Sequence, residues 1–301
     1  MELGTLAFVW GFSFLLIKLG DRSFAPLWVA ALRMALGAIA IGGILLAQRG
    51  SLPRSPRTWA HAAVAAALMN AAPYSLFAVG ELHASSILAG IWNATAPLMT
   101  LLTTSLLLPE EKPTRKVLFG VGVSFVGVLT VLAPWAGIGK VSLLGNGACL
   151  AAAGCYAIGT PYTRRFLAPR REPVLSLATA QLICATVEVA VVAPWFAGLP
   201  THPSFESVAG VACLGVLGTG FAAVLNYSIV REAGATARAS VTFLIPIVST
   251  AAGVVLLREP IVWNQPAGAV LILGGLALSR LRMSTRGDHP NEPTRATEIE
   301  L

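Results

Sequence analysis

The chain has 301 residues, of which 55% are hydrophobic and 12% are charged, and its formal net charge is +7. In a soluble domain about a quarter of all residues are charged, because its surface faces water. This composition therefore excludes an ordinary soluble protein. The basic residues stand in short clusters between apolar blocks. That distribution is typical of membrane-protein loops and argues against a nucleic-acid-binding face.

Ten apolar segments are long enough to cross a bilayer as helices, since a span needs about 20 residues. Short stretches such as "DRSFAP", "PEEKPTRK" and "RRFLAPRREP" separate them, so no extramembrane domain is expected. The N-terminal segment lacks the features of a signal peptide and is predicted as the first span. The polar tail 283–301 is predicted to be disordered and cytoplasmic. The predicted spans are 3–20, 28–48, 58–80, 84–108, 115–134, 143–164, 174–196, 205–230, 234–257 and 262–282.

The distribution of lysine and arginine predicts the orientation, because these residues accumulate in cytoplasmic loops. With the N-terminus inside, fifteen of the basic residues up to Arg286 lie on the cytoplasmic side and five on the other. Both termini are therefore predicted to be cytoplasmic. The five outside residues are Lys18, Arg22, Arg33, Lys140 and Arg258.

A proline-then-glutamate pattern occurs twice in the chain. The stretch "TAPLMTLLTTSLLLPEE" contains Pro97 and Glu110, and "LIPIVSTAAGVVLLREP" contains Pro246 and Glu259. Each residue of the second pair follows its counterpart by 149 positions. The pattern predicts an internal repeat of five spans.

An odd number of spans in each copy means that the second copy enters the membrane upside down. Two glycine pairs, Gly120 with Gly268 and Gly127 with Gly275, match at an offset of 148. Inverted repeats around a central site are a recurring design of secondary transporters. The predicted repeats are residues 1–134 and 135–282.

The stretches "LAFVWGFSFLLIKLG", "APLWVAALRMALGAIAI" and "ATARASVTFLIPIVSTAAGVVLLREPIVWNQPAGAVLILGGLAL" resemble the drug/metabolite transporter superfamily, of the EamA type. The resemblance covers residues 3–282. It implies ten helices in two inverted five-helix repeats, which export or exchange small metabolites across a bacterial cytoplasmic membrane. It also implies a cavity lined mainly by spans 1, 3, 4, 6, 8 and 9. Tyr156 stands where the first repeat has Trp10, a difference that bears on substrate preference.

Polar and aromatic residues on these six spans are the candidates for substrate binding, because polar groups inside a membrane usually face a cavity or a partner helix. The alternative is that their amides and hydroxyls only hydrogen-bond neighbouring helices. The repeat offset relates Asn70 to Thr219 and Asn93 to Thr242. An amide beside an indole, as at Trp92 and Asn93, suits an amphipathic ligand. The candidates are Trp10, Ser13, Phe14, Asn70, Tyr74, Phe77, Trp92, Asn93, Tyr156, Thr160, Asn226, Tyr227 and Thr242.

The repeated prolines and glutamates have predicted structural roles. Pro97 and Pro246 each remove a backbone hydrogen bond within a span, which kinks a helix. They are interpreted as bending points between two transport states, or alternatively as static kinks for packing. Glu110 and Glu259 are predicted to be structural latches that cap the next helix rather than proton carriers.

Two further charged residues lie within or at the end of spans. Glu188, in "CATVEVAVVAP", is a possible proton-coupling site, and the favoured alternative is a partnered or lipid-edge acid. Arg33 is placed at the outer start of the second span and matches a proline-then-arginine pattern of the family. It is predicted to be structural, with a gating pair to Asp21 or Glu81 as a weaker option.

Neither an enzyme nor a metal site is predicted. The four cysteines, Cys149, Cys155, Cys184 and Cys213, form no C-x-x-C pair, and no histidine stands at metal-ligand spacing. No catalytic cluster is found, so no cofactor, metal or catalytic residue is expected.

The sequence therefore predicts an all-α polytopic secondary transporter that exports or exchanges small amphipathic metabolites, such as amino acids and their derivatives, by alternating access. Its partners are the small-molecule substrate and the lipid bilayer, with no nucleic acid, and a monomer is plausible. One alternative keeps the fold but exchanges phosphorylated or nucleotide-linked solutes. That cargo requires several cations deep in the cavity, and no lysine or arginine is predicted at mid-span. A membrane-embedded lipid-handling enzyme is the alternative from a different class.

Overall fold

The computed structural model describes residues 2–107, 115–133, 142–170, 172–198 and 202–280, and every regular element in this part of the chain is helical. Seven helical stretches there are long and apolar enough to cross a membrane, and three shorter apolar helices accompany them. These helices agree with the predicted polytopic membrane protein. In chain order the elements are α1 (Glu2–Gly20), α2 (Pro26–Ala47), α3 (Pro56–Ala66), a π-helical turn π1 (Ala67–Ala71), α4 (Ala72–Glu81), α5 (Ser86–Asn93), α6 (Ala96–Leu107), α7 (Arg115–Leu132), α8 (Leu143–Phe166), α9 (Val174–Phe196), α10 (Phe205–Gly215), a second π-helical turn π2 (Val216–Phe221), α11 (Ala222–Leu256) and α12 (Asn264–Arg280).

The predicted span 84–108 is two helices rather than one. Helix α5 ends at Asn93 and α6 begins at Ala96, directly before Pro97. Between them the hydroxyl of Thr95 donates to the carbonyl of Trp92 at 2.7 Å. Because Pro97 has no N–H, the carbonyl of Asn93 loses its helical partner, and the hydroxyl bond to the neighbouring carbonyl of Trp92 supports the turn between the two helices.

The stretch "REAGA", predicted as a turn between spans 205–230 and 234–257, lies within α11, whose 35 residues have helical backbone. Gly218 nevertheless packs against Ser13 and Val248 against Gly11, although about 45 Å of straight helix would separate residues 218 and 248. The predicted reversal of the chain is therefore present, as a bend within α11. Gly234 is the residue of this stretch that disfavours a helix, at a cost of about 1 kcal/mol, and alanines flank it on both sides. Pro246 also lies inside this helix.

The two π-helical turns occupy equivalent positions of the predicted repeats. π1 starts at Ala67 and π2 starts 149 residues later, at Val216. Pro73 follows π1 and cannot donate to the carbonyl four residues before it, whereas π2 contains Gly218 and Gly220. Turns of this kind inside α-helices frequently lie at functional sites.

Helices α7 and α12 pack chiefly against each other through small residues. A Cβ on Gly127 would come within 2.8 Å of the Gly268 carbonyl oxygen, and a Cβ on Gly275 within 2.3 Å of the Gly120 carbonyl oxygen. Close backbone approach through glycine is typical of helix pairs in membranes. The two contacts are equivalent in the predicted repeats, because Gly127 corresponds to Gly275 and Gly268 corresponds to Gly120.

Large apolar side chains cover much of the outer surface of the bundle. Phe119, Trp195 and Phe205 are 67%, 85% and 86% exposed. A soluble monomer does not carry so many exposed large apolar residues, whereas a bilayer solvates them. The outer surface is therefore suited to lipid.

Candidate functional site

A cavity of about 820 Å³ lies between helices of the two predicted repeats. Its volume falls within the range of about 300–1,000 Å³ that is typical of small-molecule sites. Eleven of the thirteen candidate residues line it: Trp10, Ser13, Phe14, Asn70, Tyr74, Phe77, Asn93, Tyr156, Thr160, Asn226 and Thr242.

The cavity differs at its two ends. At one end its lining includes Arg164, an exposed residue in the last turn of α8. At the other end it is lined by Ile17 and Phe77, which are 2% and 3% exposed. The cavity therefore reaches the surface at the Arg164 end and is closed by packed side chains at the Phe77 end.

Aromatic rings form one wall of the cavity. The rings of Phe14 and Phe77 meet edge to face with their centroids 5.4 Å apart. The ring of Tyr156 lies 6.4 Å from that of Phe77. Such a wall offers a large apolar surface to the body of a ligand.

Arg33 lies further into its helix than the sequence suggested, and it gives the cavity lining a buried cation that the sequence did not predict. It is the eighth residue of α2, is 5% exposed and lines the cavity. Its Nε donates to the hydroxyl of Thr219 at 3.2 Å, and its guanidinium carbon lies 3.9 Å from the ring centroid of Tyr74. Among the described residues it forms no ion pair with Asp21 or Glu81. The sequence pattern identified the residue but not its place.

Each π-helical turn supplies a polar residue to the cavity from its fourth position. Asn70 of π1 accepts a hydrogen bond at 2.6 Å from Nε2 of Gln181, and Thr219 of π2 donates to the carbonyl of Leu214 at 3.2 Å. Gln181 lies on α9, outside the six spans expected to line the cavity. A lone glutamine in the apolar stretch "LATAQLICA" was the sequence signal that could have found it.

Trp92 does not line the cavity, although its neighbour Asn93 does. The indole is fully buried, and its Nε1 donates to Oδ1 of Asn146 at 2.6 Å. The bond joins α5 to α8, so in this structure Trp92 serves packing between helices.

The remaining candidates are the two prolines, Tyr227 and Glu110. Pro97 lines the cavity directly after the break between α5 and α6. Pro246 lies inside α11, where Ile245 reaches the cavity. The side chain of Tyr227 and the whole of Glu110 lie outside the described residues.

Glu259 joins the two predicted repeats at the closed end. Its carboxylate accepts hydrogen bonds from the backbone N–H and the hydroxyl of Ser86 at 3.0 and 2.9 Å, and from the backbone N–H of Ile87 at 3.3 Å. It therefore caps the N-terminus of α5 in the first half, not the helix that follows it. The chain turns at Arg258, whose φ is 54°, and this directs Glu259 back towards the bundle.

Two buried acids accompany this contact. Both carboxylate oxygens of Glu81, which is 0% exposed, and of Asp21 have no hydrogen-bond partner among the described residues. Burial raises the pKa of Asp21 to about 7, against the opposing effect of Lys18. The Lys18 ammonium donates to the backbone carbonyls of Glu81 and Ala84 instead.

Glu188 lies away from the cavity. Its side chain is half-buried on α9, and its Oε2 has no hydrogen-bond partner among the described residues. It does not belong to the cavity lining. A role in proton coupling stays a prediction.

A bundle of apolar helices around a central cavity is the architecture expected of a membrane transporter. The model of the EamA-like transporter family matches the chain twice, over residues 4–133 and 143–281. The chain belongs to this family. The resemblance noted in the sequence is confirmed, and the two matches fall on the two predicted repeats.

Individual relatives are named as transporters. An uncharacterized transporter of Archaeoglobus fulgidus is 27% identical over 89% of this chain and 93% of its own length. An uncharacterized transporter of Bacillus subtilis is 27% identical over 92% of this chain and 89% of its length. A probable amino-acid metabolite efflux pump of Salmonella typhimurium is 25% identical over 92% and 94%. One crystal structure, 20% identical, has the same fold with a TM-score of 0.68 over 95% of this chain and 96% of that one.

Proposed function

We propose that the protein is a secondary transporter that exports or exchanges small amphipathic metabolites, such as amino acids and their derivatives, across a bacterial cytoplasmic membrane. The observation that carries the proposal is the cavity, which combines an aromatic wall with amides and hydroxyls and opens at one end. A membrane site of this kind suits a ligand with one apolar and one polar part. The name of the Salmonella relative supports this substrate class.

The proposed architecture has ten spans in two inverted repeats, residues 1–134 and 135–282, with both termini in the cytoplasm. Three observations support it: the family model matches twice, the π-helical turns recur after 149 residues, and the glycine contacts of α7 and α12 are reciprocal. One chain encloses the cavity, which supports the monomer as the transport unit.

With this orientation the open end of the cavity, at Arg164, faces the cytoplasm. Transport then requires the closed end to open, which separates Glu259 from Ser86 and Ile87. The break before Pro97 lies beside the cavity and is suited to bending as the two halves move.

Exchange of phosphorylated or nucleotide-linked solutes is the second candidate function. It is favoured by the two cations in the lining, Arg33 and Arg164. A phosphate group is bound best by several converging cations. Because one of these arginines is buried and the other lies at the exposed end, their arrangement favours substrates with a single anionic group.

Uptake into proteoliposomes tests the function. The panel contains labelled amino acids, aromatic amines and a sugar phosphate, each measured with and without an imposed pH gradient. We expect saturable uptake of one amphipathic class. Asn93→Ala removes an amide from the cavity lining and should lower kcat/KM about tenfold, which corresponds to about 1.4 kcal/mol.

The matched control is Asn264→Ala. Asn264 lies at the start of α12, where its side chain donates to the carbonyl of Val131 at 2.9 Å, and it is not part of the cavity lining. We expect it to transport at close to the normal rate. Uptake of the sugar phosphate alone would favour the second candidate function, and no uptake of any compound into intact vesicles would refute the proposed cargo.

A further inference from the structure

The cavity contains a cation, Arg33, that has no counter-ion among the residues that the structure describes. Arg33 is 5% exposed, and none of the acidic side chains in the described part of the chain approaches it within ion-pair distance. Glu81 is fully buried but forms no ion pair with Arg33. A buried guanidinium is costly unless an anion or several acceptors compensate it.

The guanidinium is held in one orientation. Thr219 accepts from Nε, and the ring of Tyr74 lies against one face of the group. The two terminal nitrogens donate to no acceptor among the described residues. They form the planar fork that matches both oxygens of a carboxylate.

The neighbourhood of Arg33 indicates what the rest of the ligand is like. The ring of Tyr74 lies against Arg33, and Tyr156, which also lines the cavity, continues the aromatic wall through Phe77. A carboxylate on the fork would therefore place the body of the molecule along aromatic rings. The second lining cation, Arg164, lies at the opposite, exposed end and does not converge on the same anion.

We propose that Arg33 binds the carboxylate of the transported molecule, so that the substrates are small monocarboxylates with an apolar or aromatic body, zwitterionic amino acids included. This inference rests on the proposed function and narrows it. It separates acids from their amides and amines, which have the same shape but lack the anionic group.

A purely structural role is the competing account. In that account Arg33 only ties α2 to π2 through Thr219. The two accounts differ in one observable, the preference for a carboxylate over its amide. Loss of the hydrogen bond between Arg33 and Thr219 lowers the stability of the protein and the transport of all ligands alike. Loss of a carboxylate site lowers the affinity for acids relative to their amides.

The probes are L-phenylalanine, its amide and 3-phenylpropionate, which keeps the carboxylate and lacks the amino group. Their binding to the purified protein is measured by the shift in melting temperature, and their transport by competition against labelled L-phenylalanine in proteoliposomes. For the unmodified protein we expect both carboxylates to bind at least about tenfold more tightly than the amide. A factor of ten is typical of one charge-assisted hydrogen-bonding group.

Arg33→Gln should reduce the preference for acid over amide to about one, and Arg33→Lys should leave it partly intact because lysine keeps the charge but not the fork. Thr219→Val removes the tie and keeps the charge, so the preference should persist even if the protein melts earlier. Equal binding of acid and amide to the unmodified protein would overturn the inference without contradicting the proposed transport function. Absence of uptake across the whole panel is the separate result that refutes the proposed cargo.

Discussion

The two prolines of the repeated pattern, Pro97 and Pro246, have different effects on their helices. At Pro97 the chain breaks into α5 and α6, whereas at Pro246 the single helix α11 continues through the proline. Both prolines deprive a carbonyl of its partner. The residue two positions earlier differs, since Thr95 supplies a hydroxyl that bonds to the carbonyl of Trp92, and Leu244 supplies none. The break at Pro97 therefore coincides with a side-chain bond to the backbone that Pro246 lacks. Such a bond does not end a helix by itself, since Pro161 lies inside α8 although the hydroxyl of Thr160 donates to the carbonyl of Tyr156.

The position of the two prolines relative to the cavity adds to the contrast. Pro97 lines the cavity, and Pro246 does not. If bending at the break is part of transport, the first proline matters more than the second, although the sequence pattern treats them as equal.

The largest expected effect comes from replacing each proline by alanine. Pro97→Ala restores an N–H that can donate to the carbonyl of Asn93, which favours a continuous helix, and we expect transport to fall about tenfold. Pro246→Ala should change transport less than about twofold, because α11 is already helical there, and the added hydrogen bond should raise the melting temperature. Both variants are measured in the same proteoliposome assay. Equal losses of transport would contradict the distinction between the two prolines.

A smaller effect is expected at the hydroxyl itself. Thr95 is 2% exposed, and Thr95→Val removes its bond to Trp92 while keeping its shape, at a cost of about 1 kcal/mol. The melting temperature in detergent should fall by about 2–4 °C. Thr130→Val is the matched control, since Thr130 bonds to Val126 on the exposed face of an uninterrupted helix. If the two variants melt alike, the hydroxyl does not stabilise the break.

The helical membrane fold was predictable because apolar length and loop charge follow directly from the physics of a bilayer. A kink at Pro97 was predicted, but the full break into two helices at Thr95 was not, because the hydroxyl bond that accompanies the break does not show in hydropathy. At "REAGA" the predicted reversal of the chain is present, but as a bend within helical backbone and not as a loop. A glycine and two charges in an alanine-rich stretch look like a loop in sequence, but they cost a helix little.

The site was predictable in its residue types and less so in its partners. Most polar and aromatic candidates line the cavity, because a polar group in an apolar membrane helix is costly unless it faces a cavity or a partner helix. Trp92 was predicted to bind substrate, but its indole donates to the amide oxygen of Asn146, 54 residues away. One sequence does not reveal that pairing. The burial of Arg33 in the lining was not predicted, because it depends on how α2 packs against π2, where Arg33 bonds to Thr219, and one sequence does not reveal that packing.

The most direct test of alternating access asks whether one cavity residue can be reached from both sides of the membrane. Ser13, which lines the cavity, is replaced by cysteine in a variant without Cys149, Cys155, Cys184 and Cys213. A membrane-impermeant thiol reagent is applied to the inner or the outer face. The account predicts labelling from both faces, with a ratio that a substrate gradient changes. Labelling from one face only, unchanged by substrate, would contradict it.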